Sequence, residues 1–328
     1  MMTLSKITRT SLFSLCALSL AGLSLSSCRH KDIDFDDVPM QEVKVVFDWS
    51  KAPEAAPASM ALWLYYSPLE SPDSTLRYDF NNNTGGPVRI PYGSFSGIAL
   101  NSDNSDWAHF RNTENIETFE IFTREISSLP ASGLRTRAVP RARDAEEESM
   151  VETPNAVWSG RNDGMSLKRG EREKTLIFYP EELTSHYTVD ILDIDNISAI
   201  DGTATDATLS GMAGGFLHGR GEATDTRHTL PFVMVKDEEK NSLHGEFLTF
   251  GESPKTRNPH KLGLYLMMSD GNKYFYTFDV SNQVYDAPDP KNVHIVVRAL
   301  SLPQPVTGGN GFSPEVSDWE SVDIDLKM

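Results

Sequence analysis

Residues 322–328 read Val-Asp-Ile-Asp-Leu-Lys-Met, which places Val322, Ile324, Leu326 and Met328 on one parity and Asp323, Asp325 and Lys327 on the other. Side chains in a β-strand alternate between faces, so such a segment buries one face and solvates the other only when extended. The same period of two runs through residues 43–49, where Val43, Val45, Phe47 and Trp49 oppose Lys44 and Asp48. It continues at 61–66, 76–80, 88–90, 95–100 and 116–122, with Asn81-Asn82-Asn83-Thr84-Gly85-Gly86-Pro87 as turn chemistry. No apolar period of helix length accompanies it, and 19 prolines with 22 glycines mark many short turns. These features predict an all-β chain.

A second strand series starts at Lys174. Leu176, Ile177, Phe178 and Tyr179 form an unbroken apolar run stopped by Pro180, and Tyr187, Val189 and Ile191 alternate with Thr188 and Asp190. The apolar phase slips by one at Leu192 and Ile194, which predicts a bulge. Segments 262–268 and 273–280 flank Ser269-Asp270-Gly271-Asn272, which predicts a hairpin with a type I′ turn. Residues 293–300 follow, with Val293, Ile295, Val297 and Ala299 on one face. Between the two series, residues 127–155 carry Arg135, Arg137, Arg141 and Arg143, then Asp144, Glu146, Glu147 and Glu148, with no apolar period. That composition predicts a long mobile, solvated loop, with a basic protein-binding patch as the functional alternative. The expected division is two β-sandwiches, 42–172 and 173–328.

The N-terminus reads as an export signal. Lys6 and Arg9 precede an apolar run from Leu12 to Leu25 that Ser14, Ser19 and Ser24 dilute, too short and too polar for a span of about 20 residues. Leu25-Ser26-Ser27-Cys28 resembles the lipobox of bacterial lipoproteins, which implies cleavage after residue 27 and a lipid on Cys28. The chain has two cysteines, and Cys16 leaves with the leader, so no thiol remains for a disulfide, a zinc site or a nucleophile. Residues 28–41, with Asp32, Asp34, Asp36 and Asp37, read as a flexible acidic tether. The expected location is the outer membrane, lipid-anchored and exposed at the cell surface. Loss of Lys6 and Arg9 moves the net charge from −17 to −19, which argues against nucleic acid as a partner.

The residues offer little chemistry. His-Glu-x-x-His, the phosphate-cradling loop and Gly-x-Ser-x-Gly are all missing, and Ser210 in Leu209-Ser210-Gly211-Met212 lacks the preceding glycine. Gly214, Gly215, Gly219 and Gly221 surround His218 without strand-to-helix context. His218, Glu222, Asp225 and His228 are candidate metal ligands, at spacings that arise readily in loops; Asp190, Asp193, Asp195 and Asn196, like Asn101, Asp103 and Asp106, are candidate calcium ligands, and neither run matches the twelve-residue calcium loop. The expectation is no enzyme, no metal and no cofactor. Trp63, Tyr65 and Tyr66, and Tyr274, Phe275 and Tyr276, are candidate glycan-contact aromatics, although neighbours in a strand face opposite ways.

Pro91-Tyr92-Gly93-Ser94-Phe95 before an apolar strand ending at Asn101, Thr175-Leu176-Ile177-Phe178-Tyr179-Pro180, Leu209-Ser210-Gly211-Met212 and Asp318-Trp319-Glu320 occur in an order that resembles the fimbrillin-type lipoproteins of Bacteroidales. The resemblance implies two tandem transthyretin-like β-sandwiches and no catalytic residues. It implies a fimbria-like anchor, cap or minor subunit, or an adhesin, with fimbrial subunits or surface ligands as partners. A surface glycan-binding lipoprotein that assists nutrient uptake is the alternative. Val322, Ile324, Leu326 and Met328 form a possible donor strand. No arginine lies between Arg29 and Arg77, so removal of the first strand by an Arg-specific protease has no evident site and a retained anchor or cap is expected over a repeating shaft subunit.

Overall fold

The strands that alternate in sequence are strands in the computed structural model, which describes residues 40–67, 75–103, 108–171, 173–253, 259–305 and 318–324. Cys28, Leu326 and Met328 lie outside the described residues. Residues 41–328 belong to one compact unit.

The first core lies between two sheets. One runs β10 (Thr175–Phe178), β1 (Met40–Phe47), β4 (Gly85–Pro91). The other runs β11 (Glu181–Glu182), β9 (Trp158–Leu167), β5 (Gly93–Asn101), β2 (Met60–Ser67), β3 (Thr75–Phe80). Val43, Val45 and Phe47 point inward with Leu62, Leu64, Phe95 and Phe178, as their alternation requires. Each such side chain contributes about 1.5–3 kcal/mol on full burial. The opposite face of β2 is buried too, with Ala61, Trp63 and Tyr65 packed against Ile98, Leu100 and Phe119.

The second core is wrapped by one long sheet, in the order β20 (Asn292–Arg298), β12 (Ser185–Leu192), β17 (Ser242–Thr249), β16 (Arg227–Asp237), β13 (Ala204–Ala213), β18 (Lys261–Met267), β19 (Lys273–Asp279), β21 (Glu320–Ile324). The short β8 (Ser149–Met150) pairs with β16. Val293, Ile295 and Val297 near one end share a cluster with Tyr276 and Phe278 near the other, so the sheet curls round a common interior. A further sheet runs β15 (Glu222–Ala223), β14 (Gly215–Leu217), β7 (Glu120–Phe122), β6 (His109–Arg111), taking two strands from each half of the chain.

Four expectations change. Strand β10 pairs in parallel with β1, Val46 opposite Ile177, and β11 pairs with β9, so the first pair of sheets draws strands from both sides of residue 172. The loop at 127–155 is a strap: Leu129, Val139, Ala142, Ala145 and Met150 are buried against Tyr265 and Phe275. Asp206 accepts the backbone N–H groups of Ala131 at 2.7 Å and Ser132 at 2.9 Å, and Tyr265 Oη donates to the Pro140 carbonyl at 2.8 Å. Aperiodic spacing hid these contacts, because a chain without regular structure needs no period to bury its apolar residues. The slip at Leu192 is the end of β12 rather than a bulge, with Asp193 at φ 57° turning the chain. The hairpin at 261–279 pairs Met267 with Lys273, but only Gly271 has positive φ, at 87°, and its N–H donates to the Met268 carbonyl. That is a type I turn closed by glycine, since type I′ requires positive φ at Asp270 as well.

Val322 and Ile324 lie in β21, paired in parallel with β19 and half-buried against the second core. The only α-helix among the described residues is α1 (Ser281–Tyr285).

Candidate functional site

Where β9, β11 and the start of β12 meet the hairpin of β14 and β15, the chain leaves a cleft of about 600 Å³. Three cations line it, Lys291, Arg161 and Arg220. Lys291, just before β20, donates from Nζ to the carbonyls of Glu182 at 3.3 Å, Leu183, and Thr184 at 3.4 Å, which pins the crossing between the two cores. Burial pushes its ammonium below the ordinary lysine value, with the nearby carboxylates of Glu182 and Glu181 opposing. Arg161 on β9 donates to the Gly219 carbonyl and, at 2.7 Å, to Asp163.

The hairpin is held against the first half by shape. A Cβ on Gly219 would lie 2.0 Å from the Ile116 carbonyl oxygen, so this residue type follows from a close backbone approach. The neighbouring His218 is 6% exposed, with its ring 5.0 Å from Phe119 and 6.0 Å from Phe216, centroid to centroid. Its Nδ1 lies 3.4 Å from Ser159 Oγ, and its buried Nε2 has no hydrogen-bond partner. Burial pushes this imidazole down to about 3, so it is uncharged at neutral pH.

Tyr187, Phe216, Phe250 and Val284 supply the apolar wall, and Glu181, Glu182, Glu222 and Glu252 the acidic rim. Glu182 accepts from Thr184 Oγ1 at 2.7 Å and lies 2.9 Å from His186 Nε2. Glu252 stands 3.6 Å from His260 Nε2. His260 is itself buried, which lowers its pKa, and its Nδ1–H donates to the Ser210 carbonyl at 2.9 Å.

The Ser210-Gly211 pair is a bulge in β13, where the register with β16 shifts between Leu209 and Met212. Gly211 has φ 82°, donates its N–H to Glu148 Oε2 at 3.0 Å, and has no room for a Cβ, which would come within 2.7 Å of His260 Nδ1. Glu148 pairs with Arg227 at 2.6 Å and accepts from Thr229 Oγ1 at 2.9 Å. Ser210 Oγ accepts the Lys261 N–H. The bulge therefore anchors the strap, and its serine is structural.

The other residues singled out in the sequence take separate places. His218 lines the cleft while His228 lies 2.9 Å from Ser149 Oγ, and no group of three metal-ligating side chains converges among the described residues. Asp190 lies between His244 Nδ1 at 2.8 Å and His294 Nε2 at 2.7 Å; Asp193 pairs with Arg298; Asn196 donates to the Leu302 carbonyl. Asn101 donates to Asp103, which accepts the Ala58 N–H; Asp106 is outside the described residues.

The glycan-contact aromatics form no platform. Trp63 is 3% exposed and Tyr65 fully buried, because β2 is covered on both faces, and Tyr66 packs on Phe95 at 4.7 Å. In the second trio, Phe275 and Tyr276 are buried and Tyr274 packs against the core. The cleft residues Arg161, Phe250, Glu252 and Lys291 carry no signal in the sequence; the glycine cluster around His218, with Glu222, is what points toward it.

A family model described as a domain of unknown function, DUF5119, matches residues 27–233. The chain belongs to this family. A search of curated proteins returns no match. Among solved structures, a candidate adhesin from Bacteroides ovatus ATCC 8483 aligns with TM-score 0.63 and 17% identity, over 82% of this chain and 96% of that one. The fimbrial anchor protein Mfa2 from Porphyromonas gingivalis aligns with TM-score 0.48 and 10% identity, over 79% and 90%. A candidate polysaccharide-binding protein from Bacteroides thetaiotaomicron aligns with TM-score 0.47 and 10% identity, over 79% and 91%. The first of these shows a shared fold.

Proposed function

We propose that this DUF5119 chain is a non-enzymatic cell-surface lipoprotein, held to the outer membrane by lipid on Cys28, that serves a fimbria-like assembly as anchor, cap or minor subunit or acts as an adhesin. The observation that carries the reading is the fold shared with the Bacteroides ovatus candidate adhesin along nearly the whole of that chain. Two features favour a retained anchor or cap over a repeating shaft subunit. Strand β1 is the middle strand of its sheet and places Val43, Val45 and Phe47 in the first core, and no arginine precedes Arg77 after Arg29 to release it. The glycan-binding reading has lost Trp63 and Tyr65 as contact residues, since both are core.

Labelled palmitate and whole-cell immunogold imaging test the proposal. The wild-type chain takes up label and lies at the surface, and Cys28→Ala does neither. Equal labelling of the variant, or wild-type protein confined to the periplasm, contradicts it.

A further inference from the structure

The cleft where β9, β11 and the start of β12 meet the β14–β15 hairpin is balanced in charge. Arg161, Arg220 and Lys291 line it together with the carboxylates of Glu181, Glu182, Glu222 and Glu252. Lys51, from outside the lining, answers Glu181 at 3.2 Å. Three lining cations then stand against three carboxylates among the described residues, so net charge favours neither an anion nor a cation there. The ligand such a lining suits is neutral.

The backbone groups at the mouth are already taken. Lys291 Nζ holds the carbonyls of Glu182, Leu183 and Thr184, Arg161 holds the Gly219 carbonyl, and β11 pairs with the edge of β9. A peptide that joins a sheet needs open N–H and C=O groups, and these are closed to it. Side-chain polarity stays open. Arg220 and Glu222 are 54% and 49% exposed and stand 3.7 Å apart, too far to hydrogen-bond each other. A hydroxyl group both donates and accepts, so one placed between them serves guanidinium and carboxylate together.

Phe216, on the same hairpin, is only half-buried, and Tyr187, Phe250 and Val284 complete an apolar wall. The volume of about 600 Å³ lies within the range of about 300–1,000 Å³ of clefts that bind small molecules. A neutral molecule with hydroxyl groups round its rim and C–H groups on its ring faces matches both surfaces, and a saccharide has that build.

We propose that this cleft binds a short neutral oligosaccharide, one sugar ring against Phe216 and its hydroxyl groups bridging Arg220 and Glu222. The inference rests on the adhesin reading for its setting and deepens it with a ligand class; the binding itself needs neither lipid on Cys28 nor a fimbrial partner, so its failure leaves the surface proposal standing.

The test is calorimetric titration of the full chain with maltotriose, cellotriose, mannotriose, galactotriose and xylotriose, beside trigalacturonate, a chitosan trimer and blocked penta-alanine. At least one of the five neutral trisaccharides binds, with an affinity that stays within about twofold as salt rises. Arg220→Ala and Glu222→Ala each weaken it about three- to tenfold, the effect of one hydrogen bond, with the thermal midpoint unchanged because both side chains are half-exposed. Phe216→Leu, which keeps an apolar side chain and removes the ring, weakens it by a similar factor of about three to ten. Binding of none of the five, tighter binding of trigalacturonate, the chitosan trimer or penta-alanine, or indifference to all three substitutions overturns the proposal.

Discussion

The side-chain amide of Gln283 pairs with both backbone groups of Val296, donating from Nε2 to its carbonyl at 3.1 Å and accepting its N–H at Oε1 at 2.8 Å. Val296 lies on β20, the end strand of the long sheet, so the amide takes the hydrogen bonds an added strand would use. Tyr78 Oη donates to the Arg89 carbonyl on β4, and Asn162 Nδ2 to the Ile177 carbonyl on β10, the two end strands of the three-stranded sheet. Side chains thus occupy backbone groups on three end strands.

Gln283→Ala uncovers β20. It costs about 1–3 kcal/mol for two lost hydrogen bonds, and sedimentation velocity shows self-association that rises with concentration. A variant as monomeric as the wild type means that β20 is shielded by something else.

Gly219→Ala forces the hairpin away from Ile116 and destabilises the fold by about 1–3 kcal/mol or more in urea unfolding. Gly221→Ala, at φ 66° with open space around it, costs about 1 kcal/mol. Equal costs contradict the close approach.

Much of this architecture is legible in the sequence. Strands β1, β2 and β5 and the hairpin of β18 and β19 alternate visibly because each has a nearby turn and at least one uniformly buried face. The pairing of β1 with β10 is not legible: parallel partners far apart in sequence leave no local signal. Trp63 and Tyr65 stand out as candidate contact aromatics because, in sequence, a strand covered on both faces looks like one with an aromatic face to spare. The cleft draws on seven separate segments, and only its glycine cluster is local.

Acid weakens the fold through its buried imidazoles. Burial lowers His218, His228 and His260 below the ordinary histidine value, so below about pH 6.5 the unfolded state binds protons that the folded state refuses. His244 works in the opposite direction. Its hydrogen bond to Asp190 raises its pKa, so its contribution is present below about 6.5 and lost as pH rises through the raised value. Urea unfolding therefore shows stability falling from pH 7.5 to 5, and falling a few tenths of a kcal/mol further in His244→Gln, an effect kept small by solvent screening. A flat wild-type profile contradicts this assignment.

The strap resists trypsin while Asp206 and Glu148 hold it. Asp206→Asn turns one of two accepting oxygens into a donor, and tryptic cleavage at the exposed Arg135 and Arg137 accelerates about tenfold or more relative to the wild type. Cutting at these sites as fast in the wild type as in the variant would restore a mobile loop.

N-terminal analysis of protein recovered from the surface of intact cells bears most directly on the proposal that this chain is a retained, lipid-held anchor or cap. The expected species begins at a blocked, lipid-modified Cys28 and still carries the strand of Val43, Val45 and Phe47. A chain that starts after Trp49, recovered with ladder-forming oligomers, would contradict the proposal and make the protein a polymerising subunit.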